Sequence, residues 1–124
     1  MTTPVVLCVD DEPRILSALQ RSLRREGYEL LYAESAAAAA SILAERRIDV
    51  LLTDHKMRGT TGLELIRDVA ARYPRTARIL ITGWTGELDA AELERLDVRA
   101  VINKPWDDAE LKSHLRNCCP GDVG

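Results

Sequence analysis

The sequence lacks any apolar run approaching the roughly 20 residues that a helix needs to cross a bilayer. It also lacks an excess of basic residues, because 17 Lys and Arg stand against 20 Asp and Glu and give a net charge of −3. That balance provides no basic surface of the kind that binds nucleic acid. The N-terminus has no charged stretch followed by an apolar one, so no secretory signal is indicated. We therefore expect a cytoplasmic protein with neither nucleic acid nor membrane as a direct partner.

Cysteine is scarce and its spacing is uninformative for metal binding. The chain has three cysteines and no C-x-x-C pair. Cys8 lies in an apolar run, which predicts a buried thiol. The adjacent Cys118 and Cys119 fit neither a zinc site nor a disulfide framework.

The length and composition indicate one globular domain. The chain has 124 residues, of which 46% are hydrophobic and 30% charged, which suffices for one sizeable core. We assign residues 4–119 to the domain and residues 120–124 to a C-terminal tail or the start of a linker.

Apolar runs of strand length alternate with segments of helical periodicity along the whole chain. The predicted strands are Val5–Val9, 28–33, 48–53, 78–82 and 100–102. The predicted helices are 13–26, one capped by Ser35, one following Gly62, 87–96, and one capped by Asp107 or Asp108. Five such repeats predict an α/β fold with a parallel sheet covered by helices on both faces.

Charged residues stand where these strands end. Asp10 and Asp11 follow the first strand, Asp54 the third and Lys104 the fifth. The carboxyl edge of an open parallel sheet is its ligand-binding edge. Three carboxylates gathered there repel one another unless a cation binds or one of them is chemically modified. The sequence therefore predicts a metal-assisted phosphoryl site.

Four motifs occur in order along the chain: VDDEP, LLTD with a glycine eight residues later, ILITG, and NKPW. Together they resemble the receiver domain of two-component response regulators, and the resemblance covers nearly the whole chain. It implies a doubly wound, flavodoxin-like (βα)5 fold with five parallel strands in the order 2-1-3-4-5. It also implies a phosphoacceptor signalling domain, not a multiple-turnover enzyme.

The resemblance implies a cation site at the first and third strands. Asp54 is the expected phosphorylated residue, forming an aspartyl phosphate. The expected cofactor is Mg²⁺, held by Asp10, Asp11, Asp54 and the backbone carbonyl of Lys56.

The resemblance also implies the groups that bind the phosphoryl oxygens. Thr82, Gly83 and Lys104 match the phosphoryl-binding and switch positions, and Pro105 resembles the family's cis-proline. Lys56 and Trp84 occupy variable positions that flank the site. As a hypothesis, their bulk and charge hinder the hydrolytic water and lengthen the phosphoryl lifetime.

Two residues depart from the family pattern. Arg58 stands where a proline is usual, four residues after Asp54. Val101 stands where the family often has Tyr or Phe, whose ring turns inward on activation. The hydroxyl half of the switch is present as Thr82, whereas the aromatic half is in question.

The implied partners are a sensor histidine kinase or phosphotransfer protein, and an output domain or protein effector. The implied switch surface comprises helix 4, strand 5 and helix 5, through which the domain is also expected to form a homodimer. The NKPW motif resembles a receiver subgroup found at the N-termini of larger regulators, some with phosphodiesterase or transcription-activating output modules.

Two alternative functions follow from the same residues. One is a phosphorylation-independent protein-interaction module, which the intact acidic cluster argues against and which Arg58 and Val101 leave open. The other is an aspartate-nucleophile phosphatase of the haloacid dehalogenase type. Those enzymes carry two acids two residues apart on the first strand, whereas Cys8 stands two residues before Asp10.

Overall fold

The computed structural model describes residues 3–83 and 88–119, in which five strands alternate with five helices. The strands are β1 (Val5–Val9), β2 (Glu29–Ala33), β3 (Val50–Asp54), β4 (Ala77–Thr82) and β5 (Val98–Asn103). The helices are α1 (Pro13–Leu23), α2 (Ala36–Glu45), α3 (Gly62–Arg72), α4 (Ala90–Arg95) and α5 (Asp108–Cys118). None of the helices within these two described ranges is long and apolar enough to span a membrane.

The five strands form one parallel sheet in the order β2-β1-β3-β4-β5, which confirms the predicted fold. The two strands that carry the acids, β1 and β3, are neighbours in register, with Val9 paired to Thr53. At the other side, Thr82 of β4 pairs with Asn103 of β5. The carboxyl ends of these four strands therefore lie together at one edge of the sheet.

The strands bury side chains on both faces, as expected for a sheet between two helical layers. One core contains Leu7, Leu51 and Leu80, and the other contains Val6, Cys8, Leu52 and Ile81, so successive residues of β1 face opposite layers. Burial raises the pKa of the Cys8 thiol to about 12, which keeps it protonated and unreactive.

Helix starts follow local capping chemistry. The Ser35 hydroxyl accepts a hydrogen bond from the Ala38 N–H at 3.0 Å, as the sequence predicts. The Thr61 hydroxyl accepts one from the Glu64 N–H at 3.1 Å, which fixes the start of α3. At α5, Asp107 holds the N-cap position, as the sequence predicts, but its side chain makes no cap hydrogen bond.

Element boundaries differ from the predictions by a few residues. α1 ends at Leu23, three residues before the predicted end. β5 starts at Val98, two residues before the predicted start, directly after Asp97 adopts the left-handed conformation with a φ of 50°. α4 spans Ala90–Arg95, and the predicted first residue of that helix, 87, lies outside the described residues.

Candidate functional site

Three carboxylates converge at the carboxyl edge of the sheet. Asp10 and Asp11 directly follow β1, and Asp54 is the last residue of β3. One carboxylate oxygen from each residue lies within 4.8 Å of the other two. Asp10 and Asp54 are buried, with 2% and 7% of their surface exposed, whereas Asp11 is half-buried. The parallel pairing of β1 with β3 thus brings together the acids that are separated by more than forty residues in sequence.

Lys104 reaches across the same edge from the end of β5. Its Nζ donates to Asp10 Oδ2 at 2.9 Å and lies 2.9 Å from Asp54 Oδ1. The backbone N–H of Lys104 donates to the Thr82 carbonyl at 3.0 Å, which extends the β4–β5 pairing to this residue. The following peptide, Lys104–Pro105, is cis. The ammonium therefore bridges two of the three carboxylates.

The pKa values report how strongly these charges interact. Burial raises the pKa of the Asp54 carboxyl, and the negative charge of Asp10 acts in the same direction against the hydrogen bond from Lys104. Burial lowers the pKa of the Lys104 ammonium, but its hydrogen bonds and charge interactions with Asp10 and Asp54 outweigh burial and leave that pKa raised. The ammonium thus stays charged, while the carboxylate of Asp54 lacks full charge compensation.

Backbone N–H groups orient the other two carboxylates. Asp10 Oδ1 accepts from the Glu12 N–H at 2.9 Å. Asp11 Oδ2 accepts from the Arg58 N–H at 3.0 Å. These bonds leave both side chains aimed at the shared site. The donor set consists of carboxylate oxygens, the ligand type that Mg²⁺ and Ca²⁺ prefer, so the residues fit a hard divalent cation.

The loop from β3 to α3 folds back against Asp54. Lys56 pairs with Thr61 in an isolated antiparallel bridge, and the Gly62 N–H donates to the His55 carbonyl at 2.7 Å. A Cβ at Gly62 would overlap the Asp54 carbonyl oxygen and lie 2.9 Å from the His55 Cα. Lys56 is exposed. The glycine therefore permits the start of α3 to pack directly on the backbone of Asp54.

The remaining site residues lie on β4 and β5. Thr82 is the buried last residue of β4, and Gly83 beside it is exposed with open space where a Cβ would stand. Val101 is half-buried against the core that contains Leu80. Trp84 lies outside the described residues. The edge thus places a hydroxyl and a small residue next to Lys104.

Sequence reasoning missed two interactions near the site. The Arg58 contact with Asp11 links the β3–α3 loop to the end of β1. The second is the indole of Trp106, whose Nε1–H is shared between Ser22 Oγ at 3.1 Å and Asp108 Oδ1 at 3.2 Å. Ser22 also donates to Asp108 at 2.6 Å. The motif NKPW signalled the tryptophan, but no local pattern indicated that its partner lies on α1.

Comparison of the sequence with known proteins identifies one family over most of the chain. The family model described as "Response regulator receiver domain" matches residues 6–116. The chain is 38% identical over 90% of its length to the hydrogenase transcriptional regulatory protein HoxA of Cupriavidus necator, of which the match covers 23%. The match with three curated relatives covers between about a quarter and just over half of each relative's length.

Solved structures share the fold closely. The signal receiver domain of an HD domain-containing protein from Pseudomonas fluorescens Pf-5 superposes with a TM-score of 0.89 at 32% identity, covering 94% of both chains. The response regulator TrrA of Thermotoga maritima, solved in complex with Mg(2+)-BeF, superposes with a TM-score of 0.85 at 26% identity. That match covers 94% of this chain and 99% of TrrA.

Proposed function

Because the chain belongs to the response regulator receiver domain family, we propose that it is a two-component phosphoacceptor with Asp54 as the phosphorylated residue. The observation that carries the proposal is the position of the Asp54 carboxylate. It is buried at the strand end, 2.9 Å from Lys104, with Asp10 and Asp11 oxygens within 4.8 Å. Of the acids in this cluster, only Asp54 belongs to the strand at the centre of the sheet, facing both β1 and β4.

In the proposed step, a carboxylate oxygen of Asp54 attacks the phosphorus of a phosphohistidine on a sensor kinase or phosphotransfer protein. The P–N bond breaks, its electron pair stays on the imidazole nitrogen, and an aspartyl phosphate forms. Such a transfer depends on positioning and charge neutralisation more than on proton transfer. Lys104 supplies one fixed positive charge, and Thr82 and Gly83 provide the hydroxyl and the space beside the incoming group.

Asp10, Asp11, Asp54 and the carbonyl of Lys56 would hold Mg²⁺. When bound, the cation supplies the positive charge that Lys104 alone does not provide for three carboxylates and a phosphoryl group. The TrrA structure in complex with Mg(2+)-BeF supports this assignment by likeness of fold. Lys56 and Trp84 are proposed to flank the phosphoryl group and slow its hydrolysis.

The phosphoryl group is proposed to shift a conformational equilibrium at α4, β5 and α5. This surface would form a homodimer or contact an output module or protein effector in the cytoplasm. The relative HoxA is a transcriptional regulator, which favours an output of that class. The half-buried Val101 leaves Thr82 as the residue that carries the switch.

The test is labelling by acetyl phosphate in the presence of Mg²⁺. We expect the wild type to be labelled, Asp54→Asn to remain at background, and chelation of Mg²⁺ to abolish labelling of the wild type. Lys104→Met should slow labelling by roughly 100-fold, the usual cost of removing one charge-stabilising donor.

Asp68→Asn is the matched control. Asp68 lies on α3 with 46% of its side chain exposed and pairs with Arg72, so its loss should leave labelling unchanged. Equal labelling of the wild type and Asp54→Asn would refute the assignment of the phosphoacceptor. A wild type that binds its partner identically with and without the label would favour the phosphorylation-independent module instead.

A further inference from the structure

Each carboxylate of the acidic cluster has a cationic neighbour within the chain, but Asp11 has a different one. Lys104 Nζ lies 2.9 Å from a carboxylate oxygen of Asp10 and 2.9 Å from one of Asp54. Asp11 instead faces Arg58, whose Nε lies 3.6 Å from Asp11 Oδ2. The two contacts divide the cluster between a lysine from β5 and an arginine from the β3–α3 loop.

Arg58 contacts Asp11 through two chemically separate groups. Its backbone N–H donates to Asp11 Oδ2 at 3.0 Å, and its guanidinium approaches the same oxygen. A proline, which the family usually has at this position, has neither an N–H nor a charge. The substitution in this chain therefore adds both a donor and a cation to one of the carboxylates expected to hold Mg²⁺.

The two groups should act in opposite directions on a bound cation. The N–H fixes the orientation of the Asp11 carboxylate, which favours ligation. The guanidinium repels the bound divalent cation and partly neutralises the Asp11 carboxylate, which disfavours ligation. Since the Arg58 side chain is 91% exposed and the Asp11 side chain 19% exposed, solvent screens the charge effect but does not remove it.

We propose that Arg58 acts on Mg²⁺ binding in two ways. Its backbone N–H orients the Asp11 carboxylate, and its guanidinium competes with Mg²⁺ for that carboxylate and lowers the affinity of the site for the cation. This inference rests on the proposed cation site. The charge of Arg58 would shift the range of Mg²⁺ concentrations over which the site fills to higher values than in the same domain without that charge.

The experiment is calorimetric titration of the intact chain with Mg²⁺ at low ionic strength. Arg58→Gln keeps the N–H and removes the charge, and we expect it to tighten Mg²⁺ binding by about twofold to fivefold. Arg58→Lys keeps the charge and should remain close to the wild type. The ratio of the Arg58→Gln and wild-type affinities should approach one in about 0.5 M salt, where exposed charges are screened.

Two further variants separate local from general effects. Arg47→Gln removes an 85% exposed arginine at the opposite edge of the sheet, so it lowers the net charge equally and should not change the affinity. Arg58→Pro removes the charge and the N–H together, and we expect weaker binding than Arg58→Gln because Asp11 loses its orienting donor.

The outcomes distinguish this inference from the proposed function. If all chains bind Mg²⁺ with one affinity, the competitor role of Arg58 is overturned while the cation site stands. Equal tightening by Arg58→Gln and Arg47→Gln would overturn it as well. If no chain, including Arg58→Gln, shows Mg²⁺ binding or a Mg²⁺-dependent rise in the melting temperature, both the cation site and the inference are overturned.

Discussion

At the scale of single residues, Gly62 decides how closely α3 approaches Asp54. From sequence alone, Gly62 is explained by the turn that leads into α3, because turns often contain glycine. The structure gives a stronger reason, since a Cβ at this position would overlap the Asp54 carbonyl oxygen. Gly62 adopts no positive φ, so proximity and not backbone conformation excludes a side chain.

Gly62→Ala should therefore damage both stability and chemistry. We expect the free energy of unfolding to fall by about 1–3 kcal/mol, the usual cost of overpacking, and the rate of labelling by acetyl phosphate to fall with it. The matched control is Gly59→Ala in the same loop, where φ is 87° and nothing lies within 4 Å of a Cβ. It should cost about 1–2 kcal/mol through backbone strain but leave the labelling rate unchanged. Equal labelling rates in the two variants would contradict the role of close approach at Asp54.

At the scale of elements, α4 has little apolar packing of its own. It has six residues, and none of them is buried. Its C-terminal end is tied by Arg78, a buried arginine at the start of β4. Arg78 Nε donates to the Leu96 carbonyl at 2.9 Å, and Nη1 donates to the Thr76 carbonyl at 2.8 Å. Burial lowers the pKa of this guanidinium, so its hydrogen bonds must offset a desolvation penalty.

Arg78→Met should loosen α4 and destabilise the domain. Its partners are main-chain carbonyls that remain after the substitution, so we expect a loss of about 2–4 kcal/mol in the free energy of unfolding. Amide hydrogen exchange in α4 should accelerate more than exchange in α2. Arg99→Met is the control, because Arg99 is 53% exposed and pairs with the exposed Asp97 at 3.3 Å; it should cost under about 0.5 kcal/mol. A neutral Arg78→Met would show that α4 is held by other contacts.

The order and type of the elements could be predicted because apolar runs and helical periodicity are local signals. The start of β5 could not, because Val98 pairs with Arg78 of β4 and Ala100 with Ile79, so Arg99 lies at a register shift that no local pattern signals. Likewise, the convergence of Asp10, Asp54 and Lys104 followed from strand ends and the resemblance. The Arg58–Asp11 and Trp106–Ser22 contacts involve residues 47 and 84 positions apart, and no periodicity encodes such pairs.

At the scale of the whole molecule, the ionised carboxylate of Asp54 lowers the stability of the fold. Burial and the charge of Asp10 raise the pKa of Asp54 above its ordinary value. The folded state therefore holds the Asp54 proton more tightly than the unfolded chain does. Stability falls as pH rises from the ordinary carboxyl pKa through the raised one, and the ionised Asp54 remains destabilising at pH 7.

Asp54→Asn should consequently be more stable than the wild type at pH 7 without divalent cation, by on the order of 1 kcal/mol. The difference should shrink as pH falls towards the ordinary carboxyl pKa, because the wild-type carboxyl then becomes neutral too.

A cation that binds the folded state stabilises it by mass action, by about 1.4 kcal/mol at tenfold excess over its Kd. Adding Mg²⁺ should therefore raise the melting temperature of the wild type more than that of Asp54→Asn, and narrow or reverse the gap. Asp68→Asn, on the exposed face of α3, should track the wild type in every condition. Thermal unfolding with and without Mg²⁺ at several pH values measures all three chains, and an Asp54→Asn variant that is less stable than the wild type at pH 7 would contradict uncompensated charge at the site.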